Sequence, residues 1–492
     1  MRAEIQPFLG YDFMSIIGST ALSRRRLLMA GGAIATTRLL QAQRASAVEN
    51  NNSTVNLKPA PALAPIMGTG QPETPVLAYN GIVSGPVLRL HQDVLFRADV
   101  QNGLDEDTTV HWHGIRLPNA MDGVPDLTQK SIAPGASFQY AYSPPDAGTF
   151  WYHPHDHTAR QMGRGMAGAL IVEEPEPAGF DRDVLWVLQD WELLPDNEIV
   201  DGFDDVMQGM MAGRIGTTVT INGTLPTPVP LRAGERIRLR LINACLARFM
   251  ALRFAGHKVV VMALDGQPVT RPFEPDGGLT VIAPAQRVDL LLEATGNPGS
   301  TYAVTDEFYG YDGSYKLTDL AYSVAPKLIT SSKPITLPPN PVPAPDLKNP
   351  VRHHLTIVGG GMSGMGMGGM MGGMGMMGDS NTPVAIWGIK GSNGLNEGMT
   401  PIFTLPLGRT ALITLTNTTD WWHPMHLHGY SFHVLSRNGV VAKYPHIRDT
   451  VILRPKDTVD IAFVADNPGN WMFHCHVIEH SDFGLMTVIR VA

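Results

Sequence analysis

The strongest constraint on the fold of this chain is a set of four histidine pairs. In each pair, one residue separates the two histidines. The pairs are His111 with His113, His153 with His155, His426 with His428, and His474 with His476. In a β-strand, side chains two residues apart face the same side, so each pair presents two imidazoles to one point. Converging imidazoles are typical metal ligands. The four pairs together therefore predict strands that hold a metal cluster.

Short apolar runs separated by Gly, Pro, Asn and Asp predict a mostly β protein. The 492 residues include 51 Gly and 39 Pro, which favours many turns. The predicted strands lie at 87–100, 137–142, 169–172, 236–242, 259–264, 288–292, 411–417, 432–435 and 459–464. Their spacing is typical of antiparallel sandwiches or barrels.

The length suits three domains, and a weak internal repeat supports that number. In each third of the chain a strand-like run precedes an asparagine by about 10 to 15 residues, at Asn102, Asn243 and Asn417. We therefore expect similar domains at 48–177, 178–335 and 350–492. The Pro-rich stretch 334–350 would form the second linker.

The first 47 residues have the composition of an export signal. Arg24, Arg25 and Arg26 precede a moderately apolar stretch at 27–34, and the small residues 45–47 offer a cleavage site. This order of parts resembles a twin-arginine signal and predicts a periplasmic or secreted protein.

Charge and cysteine content exclude several classes of protein. Lys and Arg number 37 against 45 Asp and Glu, a net charge of −8, which argues against nucleic acid or an anionic membrane as a main partner. No run approaches the ~20 apolar residues that span a bilayer. The only cysteines are Cys245 and Cys475, so disulfides do not hold the fold together. We expect Cys245 to be a small buried residue of the second domain.

Cys475 stands between His474 and His476, and strand alternation sends it to the opposite face from both. One strand would then contact two metal sites. A thiolate with two imidazoles, from His423 and His480, is the trigonal set of a blue copper centre. Electrons leaving that copper would have a short covalent path through Cys475 to the second site.

These motifs resemble those of the multicopper oxidases, the family of laccases, ascorbate oxidase and bacterial cuprous oxidases. The resemblance covers the whole mature chain, and all four histidine motifs match in order and spacing. It implies three cupredoxin-like Greek-key domains, with a trinuclear copper cluster between the first and the third. It also implies an enzyme that couples four one-electron oxidations of a reducing substrate to the reduction of O₂ to water.

The resemblance further implies four copper ions, one of type 1, one of type 2 and two of type 3. Type 1 copper would be held by His423, Cys475 and His480, and type 2 copper by His111 and His426. The type 3 pair would be held by His113, His153, His155, His428, His474 and His476. We expect the other seven histidines to be structural or surface residues, namely His91, His157, His257, His353, His354, His433 and His446.

Two positions depart from the family pattern and one matches it. Many bacterial members have an axial methionine ten residues after the cysteine, where this chain has Leu485. Met486 follows, and it would face the copper only if a one-residue bulge turned it inward. Asp122 matches the acid beside the trinuclear cluster and is our candidate proton relay or anchor. The acid that usually follows the last type 1 histidine is replaced by Ser481, and Glu479 or Asp482 could substitute or be ordinary surface charges.

The substrate is the least constrained part of the prediction. Residues 359–378 comprise eight methionines, eleven glycines and one serine. The cuprous oxidases have a methionine-rich insert at the corresponding place. Thioethers select Cu(I), so the insert could capture cuprous ions. Its methionines are Met362, Met365, Met367, Met370, Met371, Met374, Met376 and Met377. A loop without function is the alternative.

The residues before His423 favour a different substrate. Cuprous oxidases have an acid and a methionine there, whereas this chain has Asp420, shifted by one, and Trp421. An aromatic wall with a carboxylate suits phenols or aromatic amines, as in laccases. We favour metal oxidation slightly and expect a monomer.

Proteins of other classes explain fewer of these residues. A copper-storage or copper-delivery protein would not need Cys475 between two histidines. A copper-free structural relative would have lost ligands, and a copper nitrite reductase normally has two domains per chain.

Overall fold

The structure, a computed structural model, describes residues 48–49, 54–309, 314–330, 333–360, 386–396 and 398–492. Strands dominate these residues, and the helices are single short turns. The all-β prediction is confirmed. None of the helices in the described ranges has the length and apolar character needed to cross a membrane.

Ten strands make up the first third of the chain. They are β1 (Val48–Glu49), β2 (Val55–Leu57), β3 (Pro59–Ala64), β4 (Thr74–Tyr79), β5 (Leu88–His91), β6 (Phe96–Gln101), β7 (His111–His113), β8 (Ser137–Tyr142), β9 (Gly148–His153) and β10 (Gly168–Glu173). One sheet has the order β1-β5-β10-β9-β7, a second has β2-β6-β8, and β3 pairs with β4. A 3-10 turn, Asn119–Met121, precedes β8, and helix α1 (Thr158–Gly163) precedes β10.

Two sheets form the middle third. Its strands are β11 (Arg182–Trp191), β12 (Thr218–Ile221), β13 (Val229–Leu231), β14 (Arg236–Asn243), β15 (Met250–Phe254), β16 (Val259–Leu264), β17 (Gln267–Phe273), β18 (Thr280–Ile282), β19 (Arg287–Glu293), β20 (Thr301–Asp306) and β21 (Tyr315–Tyr322). The sheet orders are β12-β11-β14-β19-β16-β17 and β13-β21-β20-β15-β18. Helix α2 (Val206–Met210) follows β11, and a 3-10 turn, Asp276–Gly278, precedes β18.

The last third repeats the two-sheet plan. Its strands are β22 (Val351–Gly359), β23 (Trp387–Gly391), β24 (Gly394–Leu395), β25 (Pro401–Leu405), β26 (Thr410–Asn417), β27 (His423–Leu427), β28 (Phe432–Arg437), β29 (Val440–Arg448), β30 (Thr450–Leu453), β31 (Thr458–Val464), β32 (Gly469–Cys475) and β33 (Met486–Val491). The sheet orders are β24-β23-β22-β26-β31-β28-β29 and β25-β33-β32-β27-β30. Helix α3 (Ile478–Asp482) lies between β32 and β33.

Most predicted strands are present within a residue or two of their expected limits, but the run 87–100 is not one strand. It forms β5 and β6, which belong to different sheets. The chain turns between them at Asp93, whose φ of 61° interrupts the extended backbone and whose N–H donates to the Pro144 carbonyl at 2.9 Å. The apolar alternation at 88 and 90 resumes in the same register at 94, 96, 98 and 100, so only the polar residues 91–93 mark the turn in the sequence.

The three repeated asparagines have the same hydrogen-bonding role. Each Oδ1 accepts from the backbone N–H two residues later: Leu104 at 2.9 Å, Cys245 at 3.1 Å and Thr419 at 2.9 Å. Each Nδ2 donates to carbonyls of a nearby loop and of a more distant residue. These buried side chains replace water as partners for loop backbone. The shared pattern gives the sequence repeat a structural cause.

The first and last thirds of the chain share one hydrophobic core. It includes Trp112 and Phe150 from the first third together with Leu427 and Phe473 from the last. The middle third has a core of its own. The strands that carry the histidine pairs are therefore packed within one continuous interior.

Candidate metal centre

Paired strands bring the histidines together. His111 on β7 lies directly opposite His153 on β9, and His426 on β27 lies opposite His474 on β32. Residues directly opposite in an antiparallel pair face the same side, so each pairing adds imidazoles to one face. Trp112 points the other way, into the core, as the alternation predicts.

Cys475, His423 and His480 form a compact group of three donors. The Cys475 Sγ lies 3.5 Å from Nδ1 of His423 and 3.7 Å from Nδ1 of His480, and the two nitrogens are 3.2 Å apart. Two nitrogen donors about 2.0–2.1 Å from one metal are separated by roughly 3.3–3.6 Å at tetrahedral to trigonal angles. All three residues are buried. The spacing therefore fits a single ion at the centre of the triangle.

Hydrogen bonds fix the tautomer of both histidines in this triangle. The Thr419 hydroxyl donates to Asn417 Oδ1 at 2.8 Å, so its oxygen accepts from Nε2–H of His423, also at 2.8 Å. The Nε2–H of His480 donates to the Met211 carbonyl at 2.7 Å. With the protons on Nε2, both lone pairs lie on Nδ1 and point into the triangle. Sequence analysis missed Thr419 and Met211 as partners of these ligands.

The surroundings of Cys475 are apolar. Burial raises the pKa of its thiol, so a bound metal would have to displace a proton from it. The Val477 N–H points at Sγ at 3.4 Å, and the Cys475 N–H donates to the Leu485 carbonyl at 3.0 Å. Met486 is paired in register with His474, which puts its side chain on the His474 face of the sheet.

The remaining eight predicted ligands form one cluster between the first and last thirds of the chain. Within it, three sets have donor atoms within 4.8 Å of one another. The sets are His113 with His153 and His476, His155 with His428 and His474, and His111 with His113 and His426. Each of the three sets combines histidines from both ends of the sequence.

Buried nitrogens without hydrogen bonds show that the cluster fits metal ions. The unpaired nitrogens are His111 Nε2, His113 Nδ1, His153 Nε2, His155 Nε2, His426 Nε2 and both nitrogens of His476. His428 Nδ1–H donates to Asp122 Oδ2 and His474 Nδ1–H to the Cys475 carbonyl, each at 2.9 Å. Their Nε2 lone pairs then face each other at 3.1 Å. Two lone pairs cannot satisfy each other, whereas a metal ion accepts both.

Burial also keeps these imidazoles neutral. It lowers the pKa of His113, His153 and His428 well below the usual value, and neighbouring imidazoles lower it further. Burial lowers the pKa of His480 to about 4. A neutral imidazole is the metal-binding form, so the ligands are ready for a cation at neutral pH.

Asp122 links histidines from both ends of the chain. Its Oδ2 accepts from His428, and its backbone carbonyl accepts from Nδ1–H of His111 at 2.8 Å. The carboxylate is 1% exposed. This position suits the anchoring role predicted for Asp122, because its hydrogen bonds orient one imidazole of the first domain and one of the third.

A second buried acid, Asp449, was missed by sequence analysis. Its Oδ1 lies 3.3 Å from His113 Nε2 and 3.4 Å from His426 Nδ1, and its carbonyl accepts from that Nδ1–H at 3.0 Å. Arg287 donates to its two oxygens at 2.9 and 2.5 Å and to the Thr149 carbonyl at 3.2 Å. The guanidinium and His426 hold the pKa of Asp449 well below its usual range despite burial. Arg287, from the middle third, thus ties all three parts of the chain together at the cluster.

Ser481, which replaces the usual family acid, is buried in α3. Glu479 packs toward the second domain, where a Cβ on Gly213 would lie 2.9 Å from its Oε2. Burial raises the pKa of Glu479 to about 8. The same Cβ would lie 2.6 Å from Val477, whose N–H points at Cys475 Sγ, so this acid lies near the three-donor site. Asp482 is exposed.

The methionines of the predicted insert lie outside the described residues, which stop at Gly360 and resume at Ile386. The Gly360 N–H donates to the Ile386 carbonyl at 3.3 Å. Trp387 follows, and its ring lies 4.3 Å from that of His480 and 5.0 Å from that of His423. The described residues on either side of the insert's methionines are therefore beside the three-donor site.

Asp420, the other candidate substrate residue, does not contact the donors. Its carboxylate pairs with Lys456 at 2.8 Å on the surface. Thr419 makes the contact to His423 instead. None of the seven histidines expected to be structural belongs to a metal-donor group within the described ranges, and Cys245 is buried in the second domain.

Comparison with known proteins identifies the family. Models described as multicopper oxidase match residues 64–177, 182–322 and 374–492. The multicopper oxidase MmcO of Mycobacterium tuberculosis is 30% identical over 99% of this chain and 96% of its own length. The crystal structure of a multicopper oxidase from Pseudomonas thermotolerans is 34% identical, with a TM-score of 0.77 over 91% of this chain and 100% of that one.

A laccase-like multicopper oxidase, CueO from Ochrobactrum sp., is 25% identical, with a TM-score of 0.75 over 91% of this chain and 99% of its own. These likenesses span all three cupredoxin-like domains and agree with the donor geometry described above. The chain belongs to the multicopper oxidase family and is a copper-dependent oxidoreductase that passes electrons from a reducing substrate to O₂.

Proposed function

We propose that this oxidase removes electrons one at a time from Cu(I) and so contributes to copper tolerance. The electrons would enter at a type 1 site formed by His423, Cys475 and His480. The observation that carries the proposal is the position of Gly360 and Ile386, the described residues on either side of the insert's methionines, beside the Trp387 ring. That ring contacts both type 1 histidines.

The chemistry of the insert supports this substrate. Its eight thioethers are soft ligands that favour Cu(I) over harder cations. Because the described residues on either side of the insert's methionines lie beside His423 and His480, cuprous ions that the insert collects would stay near the electron acceptor. Tethering raises their local concentration without any new contact at the copper site.

The donor groups support one type 1, one type 2 and two type 3 coppers. His113, His153 and His476 would hold one type 3 ion, and His155, His428 and His474 the other. The type 2 ion would take the remaining pair, His111 and His426. When bound, the four ions store the electrons and reduce O₂ to two waters.

The chain supplies the route between the sites. Cys475 is bonded through the backbone to His474 and His476, whose rings lie on the far face of β32. The path from the thiolate to the trinuclear cluster is therefore covalent and short. Leu485 lies next to Cys475 and offers no thioether, so we propose a three-coordinate type 1 site with a raised reduction potential.

Protons must reach the cluster, since each O₂ consumes four. We propose that Asp122 holds and passes them, because its carboxylate contacts His428 and lies 3.3 Å from His111 Nδ1. Asp449 is the poorer proton donor, since the Arg287 guanidinium keeps it ionised. Asp449 would instead orient His113 and His426.

We further propose that the protein is exported by the twin-arginine signal in residues 1–47 and acts as a monomer in the periplasm or outside the cell. Changing Arg24 and Arg25 together to lysine should retain the protein in the cytoplasm, measured by cell fractionation. Export of that variant at the wild-type level would contradict the assignment of the signal.

Phenols and aromatic amines are the alternative substrates. Trp422, next to His423, packs edge-on against Phe249 and Phe308 with ring centroids 5.6 and 5.3 Å away. This aromatic cluster resembles the predicted wall, and the related Ochrobactrum enzyme is described as acting on lignin model compounds. The cluster is occupied by its own packing, however, and Asp420 is paired with Lys456.

Oxygen uptake with Cu(I) and with a phenol, measured side by side, tests the proposal. We expect the wild type to have the higher kcat/KM for Cu(I). Deleting residues 359–378 should lower Cu(I) oxidation and leave phenol oxidation unchanged or faster. Equal loss of both activities would contradict the capture role, and a wild-type preference for the phenol would favour a laccase.

A further inference from the structure

A segment of the second domain covers the type 1 site of the third. We call residues 202–213 the cover segment; it contains α2 and the turns on either side. Its backbone makes two hydrogen bonds at the site, from Trp387 Nε1–H to the Gly209 carbonyl at 2.6 Å and from His480 Nε2–H to the Met211 carbonyl at 2.7 Å. Gly209 packs on the Phe483 ring, so closely that a Cβ there would lie 2.1 Å from it.

The cover segment is also fixed at both ends. Arg214, 5% exposed, stacks over Phe203 at 4.3 Å and pairs with Glu192 at 3.3 Å. Asp205 begins α2 by accepting from the N–H groups of Met207 and Gln208. The backbone of this segment is therefore held in place next to the type 1 ligand His480.

Three residues of the cover segment carry thioethers. Met207 and Met210 lie in α2, three positions apart, and Met211 caps the C-terminal end of this helix, where its N–H donates to the Gln208 carbonyl at 3.2 Å. Met207 is 62% exposed and Met211 44% exposed, and Met210 is half-buried. Asp204, also exposed, adds negative charge that attracts cations. Exposed thioethers are soft ligands that favour Cu(I), and a nearby acid favours a cation over a neutral molecule.

We propose that Met207 and Met211, supported by Met210, form a Cu(I) docking site on the second domain that feeds the type 1 centre. This site rests on the proposed cuprous oxidase function and is separate from the methionines of the insert. Each docked Cu(I) gives up one electron and leaves as Cu(II), for which thioethers are poor ligands. The electron passes to His480 across the hydrogen bond that its Nε2–H donates to the Met211 carbonyl, and four such transfers, with four protons, reduce one O₂ to two waters.

Silver provides a direct test that needs no turnover. Ag(I) is a soft monovalent cation that the enzyme cannot oxidise under assay conditions. Crystals of the copper-loaded protein soaked in Ag(I) should show anomalous scattering shared by the sulfurs of Met207 and Met211. A soak that labels other methionines and leaves these two unlabelled would overturn the site.

Kinetics of a double variant separate this site from the wider proposal. Met207→Leu with Met211→Leu keeps side-chain volume and the backbone bond to His480 but removes both sulfurs. We expect the KM for Cu(I) to rise about tenfold with kcat little changed, as for loss of ground-state binding. Met67→Leu, between β3 and β4 of a different sheet, is the matched control and should keep the wild-type KM.

The outcomes are distinguishable. Wild-type protein that consumes no oxygen with Cu(I) contradicts the proposed function itself. Wild-type Cu(I) oxidation with an unchanged KM in the double variant contradicts the docking site alone.

Discussion

The hydrogen bond between Thr419 and His423 gives a quantitative prediction for the proposed type 1 site. Thr419 is 1% exposed, and its only proton is committed to Asn417, so its oxygen accepts from Nε2–H of His423 at 2.8 Å. Such an acceptor increases the basicity of the opposite ring nitrogen, which stabilises Cu(II) more than Cu(I). Thr419→Val removes the acceptor while keeping the shape of the side chain.

The size of the effect follows from the strength of one hydrogen bond. A buried hydrogen bond contributes about 0.5–1.5 kcal/mol net. If all of it is expressed as a preference for Cu(II), its loss raises a one-electron potential by roughly 20–65 mV, at 59 mV per tenfold change. The variant should also be less stable, because the His423 N–H stays buried without a partner.

Redox titration of the thiolate-to-copper absorption band measures this shift. Thr419→Ser keeps the hydroxyl and should stay close to the wild-type potential. Thr418→Val is the matched control, because Thr418 donates to the Ile357 carbonyl and makes no contact with a ligand. An unchanged or lowered potential in Thr419→Val would refute the reasoning.

Three further substitutions test other parts of the account. Cys475→Ser should abolish both the blue absorption and turnover while the circular dichroism spectrum stays native; retained turnover would contradict the ligand assignment. Asp449→Asn should lower the free energy of unfolding by about 3–5 kcal/mol, because it leaves the Arg287 guanidinium buried without its bidentate partner. Since Arg287 depresses the pKa of Asp449, this stabilisation is present above the unfolded pKa of about 3.9 and is lost as the pH falls toward the folded value. The gap in Tm between wild type and variant should therefore narrow below about pH 4, and a constant gap would disprove the linkage. Gly209→Ala should push the cover segment off the Phe483 ring and lower the free energy of unfolding by about 1–3 kcal/mol. The same variant should have a higher kcat/KM for bulky phenols. Adding Phe483→Ala should reverse that gain, because it removes the ring that the new methyl group contacts.

The features that could be predicted from the sequence are local ones. Strand alternation alone separates Cys475 from His474 and His476, and the donor groups of the structure follow that division. The spacing of apolar residues and turn-formers located most strands for the same reason. The asparagine repeat was visible because each domain uses it for the same backbone contacts.

The features that were missed depend on contacts between distant parts of the chain. Asp449 becomes important only because Arg287, 162 residues away, and His113, 336 residues away, meet it in space. Neither residue belongs to a recognisable motif. Met211 is recognised as a partner of His480 only when the second domain is placed against the third, since its contribution is a backbone carbonyl.

The turn at Asp93 was missed for a different reason. The same apolar alternation holds on both sides of the polar residues 91–93, and the change of direction comes from one positive φ and a hydrogen bond to Pro144. The split of the predicted run into β5 and β6 is thus set by backbone conformation rather than by side-chain pattern.

The copper content and the visible spectrum of one purified sample test the central claim most directly. The donor groups predict four copper ions per chain, with an intense blue absorption from the Cys475 thiolate bound to one of them. Cys475→Ser, loaded in the same way, should lose the blue absorption and keep the trinuclear coppers. A wild-type protein that is colourless, or that retains little copper after dialysis, would contradict the assignment of both sites.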